Sequence, residues 1–137
     1  MTNSRNKGAS FERRIANDLL LLTGVSFKRD LEQYRAADHG DLIPDDPAWP
    51  FVIECKAYAA GVGCKNDWIA QVEKSSAALG KMPAVIWKYN NRPVRVTVPF
   101  RAIAAAHDAE GTGPDEWADV TLEGFAWMAA EIMAWRA

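Results

Sequence analysis

A glutamate and a lysine stand two residues apart in FVIECKAY, residues 51–58, where Phe51, Val52 and Ile53 otherwise read as buried β-strand. Side chains alternate faces along a strand. Phe51, Ile53, Cys55 and Ala57 therefore share one face, and Val52, Glu54, Lys56 and Tyr58 the other. Glu54 and Lys56 are then about 7 Å apart along the strand, while Cys55 goes with the apolar set as a small core residue. An ion pair on a solvated sheet face accounts for that much. A second carboxylate upstream points to chemistry. Asp41 opens a short strand, residues 41–43, directly after the turn signal His39-Gly40, and PDDP at 44–47 has the residues of a tight turn. If that turn pairs the two strands, Asp41 comes alongside Glu54. Two carboxylates beside a lysine suit Mg²⁺, which takes one or two carboxylates and keeps room for waters and substrate phosphate oxygens. Asp38 competes with Asp41, which is preferred because it begins the apolar strand. His39, Asp45 and Asp46 read as turn residues.

The elements that must position these groups follow from periodicity. Residues 9–22 are predicted helical, with Phe11, Ile15, Leu19 and Leu22 on one face, Ser10 as the cap and Gly24 as the stop. Residues 25–34 read as extended. Past the charged strand, 66–80 reads as a helix capped by Asn66, with Trp68, Val72 and Leu79 on one face. Strands at 82–89 and 94–98 flank the turn Asn90-Asn91-Arg92-Pro93. A short helix covers 100–107, and EGTGPDEW (110–117) reads as a loop. Thr121 caps a last helix, 122–136, whose Leu122, Phe125, Ala129, Ile132 and Met133 share a face. Trp127, Met128 and Trp135 lie beyond that face, so this helix could close the core or bury against a second subunit. The order αβββαββαα predicts a small mixed α/β sheet of about five strands flanked by helices.

At 137 residues the chain suits one domain, and 49% apolar with 25% charged residues is ordinary globular composition. No apolar run is long enough to cross a membrane, and the N-terminus has no hydrophobic signal core, so an intracellular, cytoplasmic protein is expected. Two cysteines and two histidines fit no zinc spacing. Net charge is −2, but it is unevenly spread. Residues 1–36 hold seven basic and four acidic groups, 37–56 one and five, 57–101 seven and two, and 102–137 one and seven. A basic body could meet phosphates while an acidic tail faces away. Uneven but solvated surface is the other reading.

Asp41, twelve residues, then Glu54-Cys55-Lys56 resembles the signature of the PD-(D/E)xK nucleases, with His39-Gly40 in place of the proline that gives the motif its name. Glu12 in the first helix and Gln71 in the helix after the charged strand stand where that superfamily has an acidic residue and a glutamine or lysine. The resemblance covers roughly residues 7–98. It implies a restriction-endonuclease-like core there, with residues 100–137 as a helical extension of one nuclease domain. Within the superfamily, KGASFERRIANDLL followed by Phe27-Lys28-Arg29 looks most like archaeal-type Holliday junction resolvases and related bacteriophage enzymes.

That resemblance implies Mg²⁺-assisted phosphodiester hydrolysis, with Mn²⁺ able to substitute. Asp41 and Glu54 would hold the metal with the main-chain carbonyl of Cys55, and Glu12 would be a further ligand, direct or through water. Lys56 would orient the attacking water and stabilise charge on the phosphorane, and Gln71 would position water or backbone. Gln71 as a surface amide is the alternative. Lys7, Arg13, Arg14, Lys28, Arg29, Arg35 and Lys65 are nominated as phosphate contacts, with Lys88, Arg92 and Arg95 behind them. A four-way junction is two-fold symmetric, so a resolvase would be a homodimer. The alternatives are a nuclease of linear duplex, of restriction or repair type, and a non-catalytic DNA-binding protein that keeps the fold.

Overall fold

A computed structural model describes residues 4–31, 40–108 and 112–136. Helix α1 (Ser4–Thr23) leads into strands β1 (Phe27–Arg29), β2 (Leu42–Pro44) and β3 (Phe51–Tyr58). Helix α2 (Asn66–Leu79) then crosses to β4 (Met82–Tyr89), followed by β5 (Arg95–Pro99), α3 (Phe100–His107), β6 (Trp117–Val120) and α4 (Leu122–Arg136). Among the described residues six strands lie in sequence order in one sheet. Only β3 and β4 are parallel, as a helical crossover requires. The other neighbours are antiparallel. No helix among the described residues is long and apolar enough to cross a membrane.

The sheet is buried on both faces. On one, Phe51, Ile53, Ala84, Ile86, Val96 and Val98 meet Phe11, Ile15 and Leu19 of α1 and the apolar faces of α3 and α4. Trp49 sits at its centre, with edge contacts to Phe27 and Phe125. On the other, Val52, Val85, Trp87 and Tyr89 meet Trp68 and Val72 of α2. This explains why β4 is buried almost throughout.

Several expectations need correcting. Helix α1 begins before residue 9, so Ser10 lies inside it and caps nothing. Leu22 is exposed, and the apolar contact after Leu19 comes from Val25, beyond the Gly24 turn. Asn66 is the first helical residue of α2, and Lys65 holds the cap position without a side-chain cap bond. Leu79 is exposed beside the left-handed Gly80. Met128 is buried, because α4 presents a wider apolar face to the core than one stripe. Trp127 and Trp135 remain exposed. The C-terminal part adds a sixth strand, β6, to the sheet. Its four residues alternate too weakly to announce a strand, and it is secured by pairing with β5 from Val96 to Pro99. Thr121 does cap α4, its Oγ1 accepting the Gly124 N–H at 3.0 Å.

Candidate active site

Pairing of β2 with β3 sets Leu42 opposite Ile53. Just before it, the Asp41 N–H donates to the Ile53 carbonyl at 2.8 Å, and the Asp41 carbonyl accepts the Asp30 N–H at 3.0 Å. Asp41 is thus fixed by its main chain from both sides, next to Glu54. The residue that permits this is Gly40. Its φ of +74° lies in the left-handed region, and a Cβ there would stand 2.6 Å from the Ile53 carbonyl oxygen. No side chain fits at that approach. The sequence marks Gly40 only as a turn signal; its closeness to β3 is visible only in three dimensions.

From this seat the Asp41 Oδ2 accepts the Cys55 N–H at 2.7 Å. The Asp41 carboxyl also lies close enough to Glu54 to act on its ionisation. Glu54 is only 3% exposed, and its Oε2 has no hydrogen-bond partner among the described residues. Burial, followed by the charge of Asp41, pushes its carboxyl up to about 8, and nearby Lys56 offsets this only in part. The Lys56 Nζ instead donates to the Gln71 Oε1 at 3.0 Å. That bond holds the ammonium between β3 and α2, on the face of Glu54.

Glu12 reaches the same region from α1. It too is buried, but the Arg29 Nε donates to its Oε1 at 2.8 Å. Its carboxyl is raised by burial and by Asp41, and drawn back by Arg29. Loss of solvent, then the surrounding carboxylates, raise the Cys55 thiol well above its ordinary value, so its sulfur stays protonated. What Cys55 offers is main chain. In a strand, the N–H and C=O of one residue leave on the same edge. With its N–H on Asp41, the Cys55 carbonyl is turned to that edge as well.

Among the described residues no three His, Cys, Asp or Glu side chains converge as a ready metal cage. The available donors are the Asp41 and Glu54 carboxylates and a main-chain carbonyl, all hard oxygens. A buried Glu54 oxygen with no hydrogen-bond partner among the described residues, beside a second carboxylate, fits a hard divalent cation.

A family model described as "phage putative PDDEXK endonuclease" matches residues 3–136. The chain belongs to that family. No curated protein matches the sequence. Among solved structures, it resembles Hjc of Archaeoglobus fulgidus, described as a Holliday junction resolvase from an archaeal hyperthermophile. The TM-score is 0.51 at 18% identity, over 68% of this chain and 76% of that one. The likeness establishes the fold, a restriction-endonuclease-like sheet flanked by helices, here with six strands rather than about five.

Within this PDDEXK fold, Asp41, Glu54, Cys55, Lys56 and Gln71 come together, with Glu12 at their margin. The nominated DNA cations are more dispersed. Arg29 is committed to Glu12. Arg13 is exposed on α1, and Arg14 beside it pairs with Asp18 at 3.7 Å. Lys28 is exposed on the edge strand β1. The Lys7 Nζ donates to Asn90 Oδ1 in the β4–β5 turn. Lys65 sits over the stacked rings of Tyr58 and Trp68. Arg35, with Asp38 and His39, lies outside the described residues.

Proposed function

We propose that this chain is a metal-dependent endodeoxyribonuclease of branched DNA, acting as a Holliday junction resolvase. The observation that carries the reading is the juxtaposition of two carboxylates, Asp41 and Glu54, with Lys56 held by Gln71. A structural sheet gains nothing from burying an unpartnered glutamate oxygen, which costs about 1–3 kcal/mol or more. Membership of a PDDEXK endonuclease family supports phosphodiester hydrolysis, and the fold shared with an archaeal resolvase supports a junction as substrate.

Asp41 and Glu54, with the Cys55 carbonyl, would hold Mg²⁺ or Mn²⁺, and Glu12 would contribute through water. Once bound, the metal would neutralise the carboxylates, polarise a phosphoryl oxygen and lower the pKa of water. Lys56 lies on the same face, where its ammonium orients the attacking water and balances charge gathering on the phosphorus oxygens. Gln71 fixes the Lys56 rotamer by accepting one of its protons. Asp41 is locked by the Cys55 N–H and its own main-chain bonds, so the donor set does not reorganise during reaction. Cutting a two-fold symmetric junction on two strands calls for two such sites, hence a homodimer.

The test is cleavage of a synthetic four-way junction and a matched linear duplex, with Mg²⁺ or Mn²⁺. Paired symmetric cuts in the junction alone, lost with EDTA and with Asp41→Asn, are expected. Equal cutting of the duplex would retain the nuclease and remove the resolvase. Absence of cutting in both, with no saturable Mn²⁺ binding, would overturn the reading.

A further inference from the structure

The rows of the sheet continue past the carboxylates. Lys56 pairs with Trp87, and Trp87 pairs with Arg95, so the three form one row across β3, β4 and β5. Residues directly opposite one another share a face. Arg95 therefore leaves the sheet on the Lys56 face, two strand spacings away, or about 10 Å at the backbone. Among the described residues helix α2 packs mainly on β4 and β3. A cleft of about 360 Å³ opens there between the 61–63 loop and the β4–β5 hairpin, lined by Gly61, Gly63, Trp87, Tyr89, Arg92 and Arg95 among others.

The cleft has a fixed floor. The Trp87 Nε1 donates to Thr97 Oγ1 at 2.8 Å, and Thr97 Oγ1 donates to Asp119. The Tyr89 hydroxyl donates to the Gly63 carbonyl at 2.7 Å, which ties down the loop. Gly61 lies so close to the Tyr89 ring that a Cβ would stand 2.4 Å from it. Trp87 and Tyr89 are buried, so their ring faces are not free to stack a base. What the cleft offers a ligand is charge. Arg95 is half-buried and Arg92 exposed, neither forms an ion pair with a described residue, and no carboxylate lines the cleft. Two guanidinium groups with no ion-pair partner among the described residues suit an oxyanion, and their planar forks match phosphate. At a backbone spacing of about 10 Å, Arg95 and Lys56 can engage different phosphates of one strand.

We propose that this cleft is a subsite for a non-scissile phosphate of the DNA strand being cut, gripped by Arg95 and Arg92. The proposal rests on the nuclease reading for its substrate, and it assigns these arginines a positioning role, setting which phosphate reaches Lys56.

The experiment measures binding of a fluorescent four-way junction in EDTA across salt, and cleavage kinetics in Mg²⁺, for wild type, Arg95→Gln, Arg92→Ala and Lys56→Ala. Single neutral methylphosphonates are scanned along the cut strand. Each arginine variant is expected to bind about tenfold more weakly and to lower the salt slope by about one. In cleavage, KM should rise more than kcat falls. One methylphosphonate away from the cut should weaken wild type and Lys56→Ala but leave Arg95→Gln indifferent, a pattern that general destabilisation cannot produce. Arg92 sits in an exposed turn, so its variant keeps the test valid should Arg95→Gln fold poorly. If wild type cuts DNA and both arginine variants match its affinity and slope, the subsite is overturned while the nuclease stands. If Lys56→Ala cuts like wild type but the arginine effects appear, the catalytic assignment falls and the subsite is supported. Wild type that neither binds nor cuts removes both.

Discussion

Glu12 and Glu54 are both buried glutamates with raised carboxyls, and both lie near Asp41. Their surroundings differ in one respect. Glu12 has a guanidinium at 2.8 Å that returns part of what burial takes away. Glu54 has the Asp41 carboxylate beside it, an Oε2 with no hydrogen-bond partner among the described residues, and a lysine turned toward Gln71. One site is electrostatically closed by the protein itself. The other is left short of positive charge, and it is there that the proposed metal would bind. Burial alone therefore does not mark a functional carboxylate; burial without a protein counter-charge does.

The largest effect should come from removing the deficit. Glu54→Gln is expected to abolish Mn²⁺ binding by calorimetry and to cut cleavage by well over the roughly 100-fold of outer-shell changes. The same variant should be more stable than wild type without metal at pH 8. A Glu54→Gln protein that still binds Mn²⁺ and cleaves would end the distinction between the two glutamates.

Next is Gly40→Ala. Left-handed backbone alone costs about 1–2 kcal/mol for a residue with a side chain, and the collision with the Ile53 carbonyl adds to it. Asp41 should shift away from Glu54, so thermal stability and cleavage fall together. Unchanged cleavage would mean that Asp41 does not depend on this turn.

Glu12→Gln should reduce cleavage by about 10–100-fold, as expected of a group acting through water. Arg29→Gln should destabilise the fold by only about 1–2 kcal/mol, since the guanidinium is partly solvated and screened. If Glu12→Gln equalled Glu54→Gln in metal binding, Glu12 would be a direct ligand.

The pH dependence gives the finest test. Glu54 ionises near 8 when folded, against an ordinary value of 4.5. The folded state thus holds the proton more tightly than the unfolded chain. This stability is fully present below about 4.5 and is lost as pH rises through about 8. Metal-free denaturation should show that decline, and Glu54→Gln should flatten it. Mn²⁺ must displace the same proton, so its affinity should rise up to about tenfold per pH unit below about 8 and level off above it. A pH-independent affinity would contradict the raised Glu54 carboxyl as a metal ligand.

The site was largely legible in the sequence because strand alternation is a strict rule. FVIECKAY puts Glu54 and Lys56 on one face, and the PDDP turn brings Asp41 alongside. The helix of Phe11, Ile15 and Leu19 and the β4–β5 hairpin were equally plain, because their periodicities are set by local geometry. Three things needed the tertiary structure. Gly40 is indispensable only because β3 passes within contact of it. Strand β6 exists through pairing with β5, which its own four residues do not specify. Arg95 shares a row with Lys56 only because parallel pairing of β3 with β4 and antiparallel pairing of β4 with β5 fix both registers. Alternation within a strand is a property of the chain, whereas register between strands is decided by the packing of the whole sheet.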